Sequence, residues 1–172
     1  MEFDKLIIER YSARKFRQEH LPQGVIQRIL EAGHKAPTVC NYQPQRILVL
    51  NTDDSINKLR GCTKCHFNAP CAMLVCHDRN ESWKRPYDGA LSSSQDAVIV
   101  TTYMMLAAQQ EGVGSCWVMH FDPDAMRKTF NIPNGIEPTA LLVMGYPAED
   151  AKPLDLHYKF RPMDEVVFYD SF

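Results

Sequence analysis

Apolar runs and polar connectors alternate along the chain, and the spacing inside each run assigns an element. Residues 4–10 (DKLIIER) predict a short helix with Asp4 in its first turn. Val25, Ile26, Ile29 and Leu30 recur at helical spacing to about Gly33, with Pro22 at the helix start, where its missing N–H costs nothing. RILVL (46–50) reads as a strand, and Asp53 is placed to cap a helix over 54–60. CAMLVC (71–76) predicts a second, buried strand. From Gln95 to Glu111 the run is apolar nearly all round over its middle, which predicts a helix buried on every side, in a thick core or a subunit interface. After GVG (112–114), SCWV (115–118) is extended, and Asp122–Pro123 supply an N-cap and a first-turn proline for a helix ending near Phe130. IPNG (132–135) is a turn, TALLVMGYP (139–147) a central strand, and Val166–Tyr169 can pair as a strand far from its own neighbours.

Strands separated by helices predict a three-layer α+β or α/β domain. Its polar connectors are uneven in length. Residues 77–94 make a long loop containing Trp83 and Tyr87, and such a loop in a compact domain is disordered or functional, for example as a lid. Neither repeats nor a domain boundary interrupt the pattern, so residues 1–172 are expected to form a single domain. The hydrophobic helix and the reaching tail both point to a second subunit.

Composition narrows the function. A net charge of −2 with 21 acidic residues against 19 Lys and Arg argues against nucleic acid as a partner. No stretch of 18 uncharged apolar residues predicts a membrane span, and MEFDKLIIERYS lacks the apolar core of a secretory signal, which argues for the cytoplasm. There, the six cysteines are unlike a disulfide framework. CTKCH (62–66) matches a haem-attachment spacing, and Cys62, Cys65, Cys71 with His66 or Cys76 could be drawn as a metal site. Cys71 and Cys76 belong to the buried strand, however, where a free thiol behaves as a small hydrophobe, so no metal ligand is assigned.

Three polar islands remain: RYSAR (10–14), APTVCNYQP (36–44) and KFR (159–161). ERYSARKF places Arg10, Arg14 and Lys15 around Ser12; alone it reads as a solvated basic surface, but a hydroxyl beside forked guanidinium donors also suits a phosphate. Taken together with LAAQQEGVGSCWV, ALLVMGYP and KFRPMDEVV, in order and over essentially the full length, these segments resemble the nitroreductase family of FMN-dependent oxidoreductases. The resemblance implies an α+β, α-β-α fold with a mostly antiparallel sheet and a C-terminal extension pairing with the partner subunit of a homodimer. It implies that Arg10 and Ser12 hold the flavin phosphate and ribityl chain, with Lys159 and Arg161 closing on the phosphate. Arg14 would lie near the pyrimidine edge, where its charge stabilises the reduced flavin. Pro37, Thr38, Val39 and Asn41 would contact flavin, the first three from the opposite subunit. Met119 or His120 would point a backbone N–H at flavin N5. His120, where family members commonly have Gly, and Gln45, where they have Trp, are departures. The implied reaction is NADH or NADPH reducing FMN, which then reduces a nitroaromatic, a quinone or a related small-molecule acceptor. Alternatives are an FMN storage or carrier protein, and family members that fragment flavin or dehalogenate aromatic amino acids.

Overall fold

The computed structural model describes residues 2–172. Its core is a four-stranded sheet of order β1-β2-β4-β3, every neighbour antiparallel, formed by β1 (Gln45–Leu50), β2 (Cys71–Asp78), β3 (Gly114–Val118) and β4 (Ile136–Gly145). The helices are α1 (Phe3–Glu9), α2 (Gln23–His34), α3 (Asp53–Arg60), α4 (Ser93–Gln110) and α5 (Pro123–Phe130). The expected α-β-α layering follows from strand alternation. Cys71, Met73 and Val75 of β2, with Leu142 and Met144 of β4, pack with Ile26 and Ile29 of α2 and Val100 and Met104 of α4. Ala72, Leu74, Cys76, Leu141 and Val143 face the other way, onto Ile56 and Leu59 of α3 and Met126 of α5. A strand buried on both faces carries apolar side chains at every position, which is why CAMLVC reads as continuous. Cys71 and Cys76 therefore lie in opposite layers and cannot share a metal ion. Among the described residues, no cluster of three His, Cys, Asp or Glu side chains is placed to hold one.

Several local expectations are corrected. Asp53 does not cap α3: Thr52 does, its hydroxyl accepting the Ser55 N–H at 3.2 Å while the Thr52 N–H donates to the Ser55 hydroxyl. Pro22 is the N-cap of α2 and not its first turn, with extended ψ of 142°. The loop assigned to 77–94 is shorter, because β2 continues to Asp78 and α4 begins at Ser93; between them a bridge pairs Lys84 with Leu91.

Helix α4 is not buried on every side of the single chain. Val98, Ile99 and Tyr103 are exposed, in a surface that also includes exposed Phe3, Ile7 and Ile8 elsewhere on the chain. Val166–Tyr169 forms no strand within the chain, and Val166, Phe168 and Tyr169 are exposed. Isolated apolar side chains on a surface need no explanation, but the α4 face and the tail each leave several uncovered in the single chain. Among the described residues no helix is long and apolar enough to cross a membrane.

Candidate active site

Arg10 and Ser12 are held at the edge of the sheet by the segment following α1. Ser12 bridges Ser115 of β3 in parallel, and the Ala13 N–H donates to the Ser115 carbonyl at 2.9 Å. Ala13 is fully buried, so its neighbours Ser12 and Arg14 are directed outward by strand alternation. Burial pushes the nearby Cys116 thiol up, the Arg14 charge, the Ser12 hydroxyl and the Arg10 charge pull it back, and Cys65 adds to the rise.

Arg10, Ser12 and Arg14 line a cavity of about 330 Å³ whose opposite wall is the tail, at Leu154, Leu156, His157 and Phe160. The front of the chain and its end therefore meet, at residues 10–14 and 154–160. His157 fastens the tail there, its Nε2 lying 3.3 Å from the Ile8 carbonyl oxygen. His157 and Phe160 went unnoticed in the sequence, where nothing separates them from neighbouring polar and aromatic tail residues. Lys159 and Arg161 flank Phe160 but do not line the cavity in the single chain, and Arg161 lies 3.6 Å from Glu165.

Many basic side chains have acidic partners, such as Lys58 with Asp54, Arg28 with Glu111 and Arg127 with Glu137. Among the described residues, Arg10, Arg14 and Lys159 have no carboxylate within 4.0 Å. Arg10 donates only to the Met105 sulfur, at 3.9 Å; Arg14 donates to the Ser12 carbonyl at 2.9 Å and lies 5.7 Å from the centre of the Phe67 ring. Two guanidinium groups with unused donors beside a hydroxyl are suited to a phosphate.

Residues 37–41 stand elsewhere. The Val39 N–H donates to Asp96 Oδ1 at 2.9 Å, and Asp96 Oδ2 accepts the Ser92 hydroxyl at 2.8 Å. Asp96 is fully buried in the first turn of α4, a positioning residue that sequence reading passed over as part of an apolar run. The loop it holds is strained: Cys40, Asn41 and Gln43 have φ of 49°, 56° and 51°. Left-handed backbone suits Asn but is costly for the other two, and such strain concentrates where a loop is shaped for contact. Asp96 and Met105, the α4 residues touched by Val39 and Arg10, are nine residues apart, or about 14 Å along the axis. One chain does not bring these two groups into a single pocket.

Met119 and His120 follow the last residue of β3, and both are exposed. Among the described residues, neither backbone N–H has a protein acceptor. The His120 carbonyl accepts the Thr63 hydroxyl, which leaves the segment anchored with its N–H groups free. Such N–H groups can donate to a ligand.

Residues 7–69 and 60–146 match the Nitroreductase family, and the chain belongs to that family. It is 36% identical to a nitroreductase family protein of Clostridium difficile 630, with a TM-score of 0.93 and complete coverage of both chains. It is 26% identical to an NADH dehydrogenase of Thermus thermophilus, over 94% of this chain and 93% of that one. It is 28% identical to a putative NADH dehydrogenase/NAD(P)H nitroreductase of Archaeoglobus fulgidus, over 92% of both.

Proposed function

We propose that this protein is a homodimeric, FMN-dependent oxidoreductase of the cytoplasm that carries electrons from NADH or NADPH to nitroaromatic, quinone or related acceptors, each chain acting as a single domain. The observation that carries this reading is the cavity where Arg10 and Arg14, without carboxylate partners, meet Ser12 and the tail. Its donor set fits FMN: fixed positive charge and a hydroxyl for the phosphate and ribityl chain, and free N–H groups at the end of β3 for the ring. The names of the relatives, and a fold shared with an FMN-dependent nitroreductase of Clostridium difficile R20291 at a TM-score of 0.80, agree with it.

Bound FMN supplies hydride acceptance from a nicotinamide at N5 and donation to a second substrate, a ping-pong exchange. Arg10 and Ser12, with Lys159 and Arg161 from the tail, would hold the phosphate and ribityl chain. Arg14 would place a positive charge by the pyrimidine edge, stabilising the negative charge of the reduced ring. The Met119 or His120 N–H would donate toward N5 and orient the ring. No side chain is assigned as acid or base. Pro37, Thr38, Val39 and Asn41 would contact the cofactor, the first three from the partner subunit, in keeping with the separation of Val39 from Arg10 along α4. The exposed apolar side chains of α4 and the tail are the surface a second copy would cover.

The test is an absorption spectrum of the purified protein followed by stopped-flow mixing with each nicotinamide. Two flavin bands, bleached by NADH or NADPH and restored by a nitroaromatic or quinone, are expected. Flavin bands that neither reductant bleaches would point to an FMN carrier, and a Soret band would refute the assignment.

A further inference from the structure

A second cavity, of about 570 Å³, opens at the end of β3 where residues 60–64 face residues 119–122. Two links hold its walls together: the Thr63 hydroxyl donates to the His120 carbonyl, and the Asp122 N–H donates to the Cys62 carbonyl at 2.9 Å. The exposed Arg60 and Lys64 lie on one wall, the Met119 and His120 backbone on the other. We propose that this cavity is an oxyanion subsite, in which Arg60 and Lys64 hold a carboxylate, sulfonate or phosphate carried by the molecule that exchanges electrons beside Met119. The inference rests on the flavin reading above, and adds a substrate class to it.

Charge is the first support. Among the described residues neither Arg60 nor Lys64 has a carboxylate within 4.0 Å; the one side-chain partner of Arg60 is the neutral Asn57, at 3.0 Å. The acid on the wall, Asp122, is engaged: its Oδ1 accepts the Asp124 and Ala125 N–H groups at 2.9 and 3.0 Å as the N-cap of α5. The positive charge of Arg60 acts locally, adding to burial in holding the nearby His66 imidazole below its usual value. An anion entering the cavity thus meets two cations without an ion-pair partner within 4.0 Å among the described residues, beside one carboxylate held in the N-cap of α5.

Position is the second support. Met119 and His120, whose backbone N–H groups have no protein acceptor among the described residues, line the same cavity, and these N–H groups are the ones assigned above to the electron-exchanging edge of the cofactor. The loop bearing Lys64 continues to Phe67, whose ring lies 5.7 Å from the Arg14 guanidinium. Arg14 in turn lines the phosphate cavity. The two cavities therefore flank one connected loop, with Arg14 beside Phe67 at one end and Arg60 and Lys64 at the other. A molecule seated beside Met119 would share one cavity with these two side chains.

The oxyanion can belong to the acceptor or to the 2′-phosphate of NADPH, and two arms separate them. The first measures 4-nitrobenzoate binding to the purified protein by equilibrium dialysis, and kcat/KM for 4-nitrobenzoate against neutral 4-nitrobenzyl alcohol. The second measures kcat/KM for NADPH against NADH. Wild type is compared with Arg60→Ala, Lys64→Ala and the double variant; both side chains are exposed, and circular dichroism checks that folding is retained. In the double variant, 4-nitrobenzoate binding and its kcat/KM are expected to fall about tenfold or more while the neutral acceptor changes less than about twofold. A selective fall of that size for NADPH over NADH would equally support the subsite and assign the oxyanion to the reductant. Unchanged dialysis affinity together with unchanged ratios in both arms would overturn it. FMN content is measured on the same samples: protein lacking FMN that still binds 4-nitrobenzoate through Arg60 and Lys64 would refute the flavin reading and leave the anion subsite standing.

Discussion

Replacing Asp96 tests how the strained loop at 37–41 is held. The side chain is completely buried and accepts two hydrogen bonds, from the Val39 N–H at 2.9 Å and the Ser92 hydroxyl at 2.8 Å. Asp96→Ala removes both acceptors and leaves the Val39 N–H without a partner. Hydrogen bonds to charged groups contribute about 1.5–3 kcal/mol each, and part of the loss is recovered where water reaches the opened site, so about 3–4 kcal/mol is expected. For a chain of this size each kcal/mol moves the melting temperature by about 2–4 °C, which places the variant about 6–16 °C below wild type. Asp96→Asn keeps an acceptor for Val39 and can donate to Ser92, so its loss is about 1 kcal/mol. Thermal unfolding followed by circular dichroism reads the difference. A melting temperature for Asp96→Ala within about 2 °C of wild type would refute the reasoning. FMN titration on the same protein adds a second reading: if the loop contacts the cofactor of the partner subunit, affinity falls with the loop's order. Full FMN affinity in a destabilised Asp96→Ala would remove residues 37–41 from the cofactor site.

Three further outcomes are expected. Arg161→Glu removes a cation and adds repulsion to the phosphate, so FMN affinity measured by fluorescence quenching falls about tenfold to a hundredfold, and an unchanged value would take Arg161 out of the site. Gly145→Ala brings a Cβ to within 2.7 Å of Cδ of the rigid Pro70 ring and 3.3 Å of Phe16 Cβ, so stability in urea falls by about 1–3 kcal/mol, and a variant as stable as wild type would contradict that packing. Burial pushes the Cys71 thiol up to about 12 and Cys76 to about 11, from an ordinary value of 9.0. The unfolded chain then loses these protons first, so they make stability decline as pH rises above about 9 until the folded thiols ionise. A thiol reagent at pH 8 should label exposed Cys40 and leave Cys71 and Cys76 protected until unfolding; immediate labelling of all six cysteines would contradict their burial.

The elements most legible in the sequence are those specified by local chemistry. Asp122–Pro123 announces α5 because an acceptor side chain and a residue without an N–H satisfy a helix start whatever surrounds them, and Asp122 does cap it. The buried strands were legible because two-sided burial leaves an unbroken apolar run. At α3 the local signal was ambiguous: Thr52, Asp53 and Asp54 can each cap, and the reciprocal Thr52–Ser55 bonds select the first. For α4, composition left two readings open, a thick core or a subunit interface, and the single chain does not bury the helix on every side. An apolar face reads the same whether its own core or a second chain covers it, and only the layering shows that Val98, Ile99 and Tyr103 lie outside the core.

The candidate site divides in the same way. Arg10, Ser12 and Arg14 are close in sequence, so their grouping and their excess charge are visible without a fold. Phosphate chemistry follows from the residue types alone. Which tail residues face them is not, because the tail arrives across almost the whole chain, and its orientation is set by the His157 contact with Ile8. Asp96 was invisible for a related reason. A lone acid in an apolar helix has no meaning until the helix is placed beside a loop whose N–H needs an acceptor. Arg60 and Lys64 likewise become a pair only when α3 and the segment after β3 close around one cavity. Sequence by itself determined the secondary structure, the layered burial and the kinds of donor available, since these depend on neighbours along the chain. Tertiary structure decided which donors are unpaired and which face one space, since unpaired charge is a property of everything within a few ångströms, and most of that comes from elsewhere in the chain.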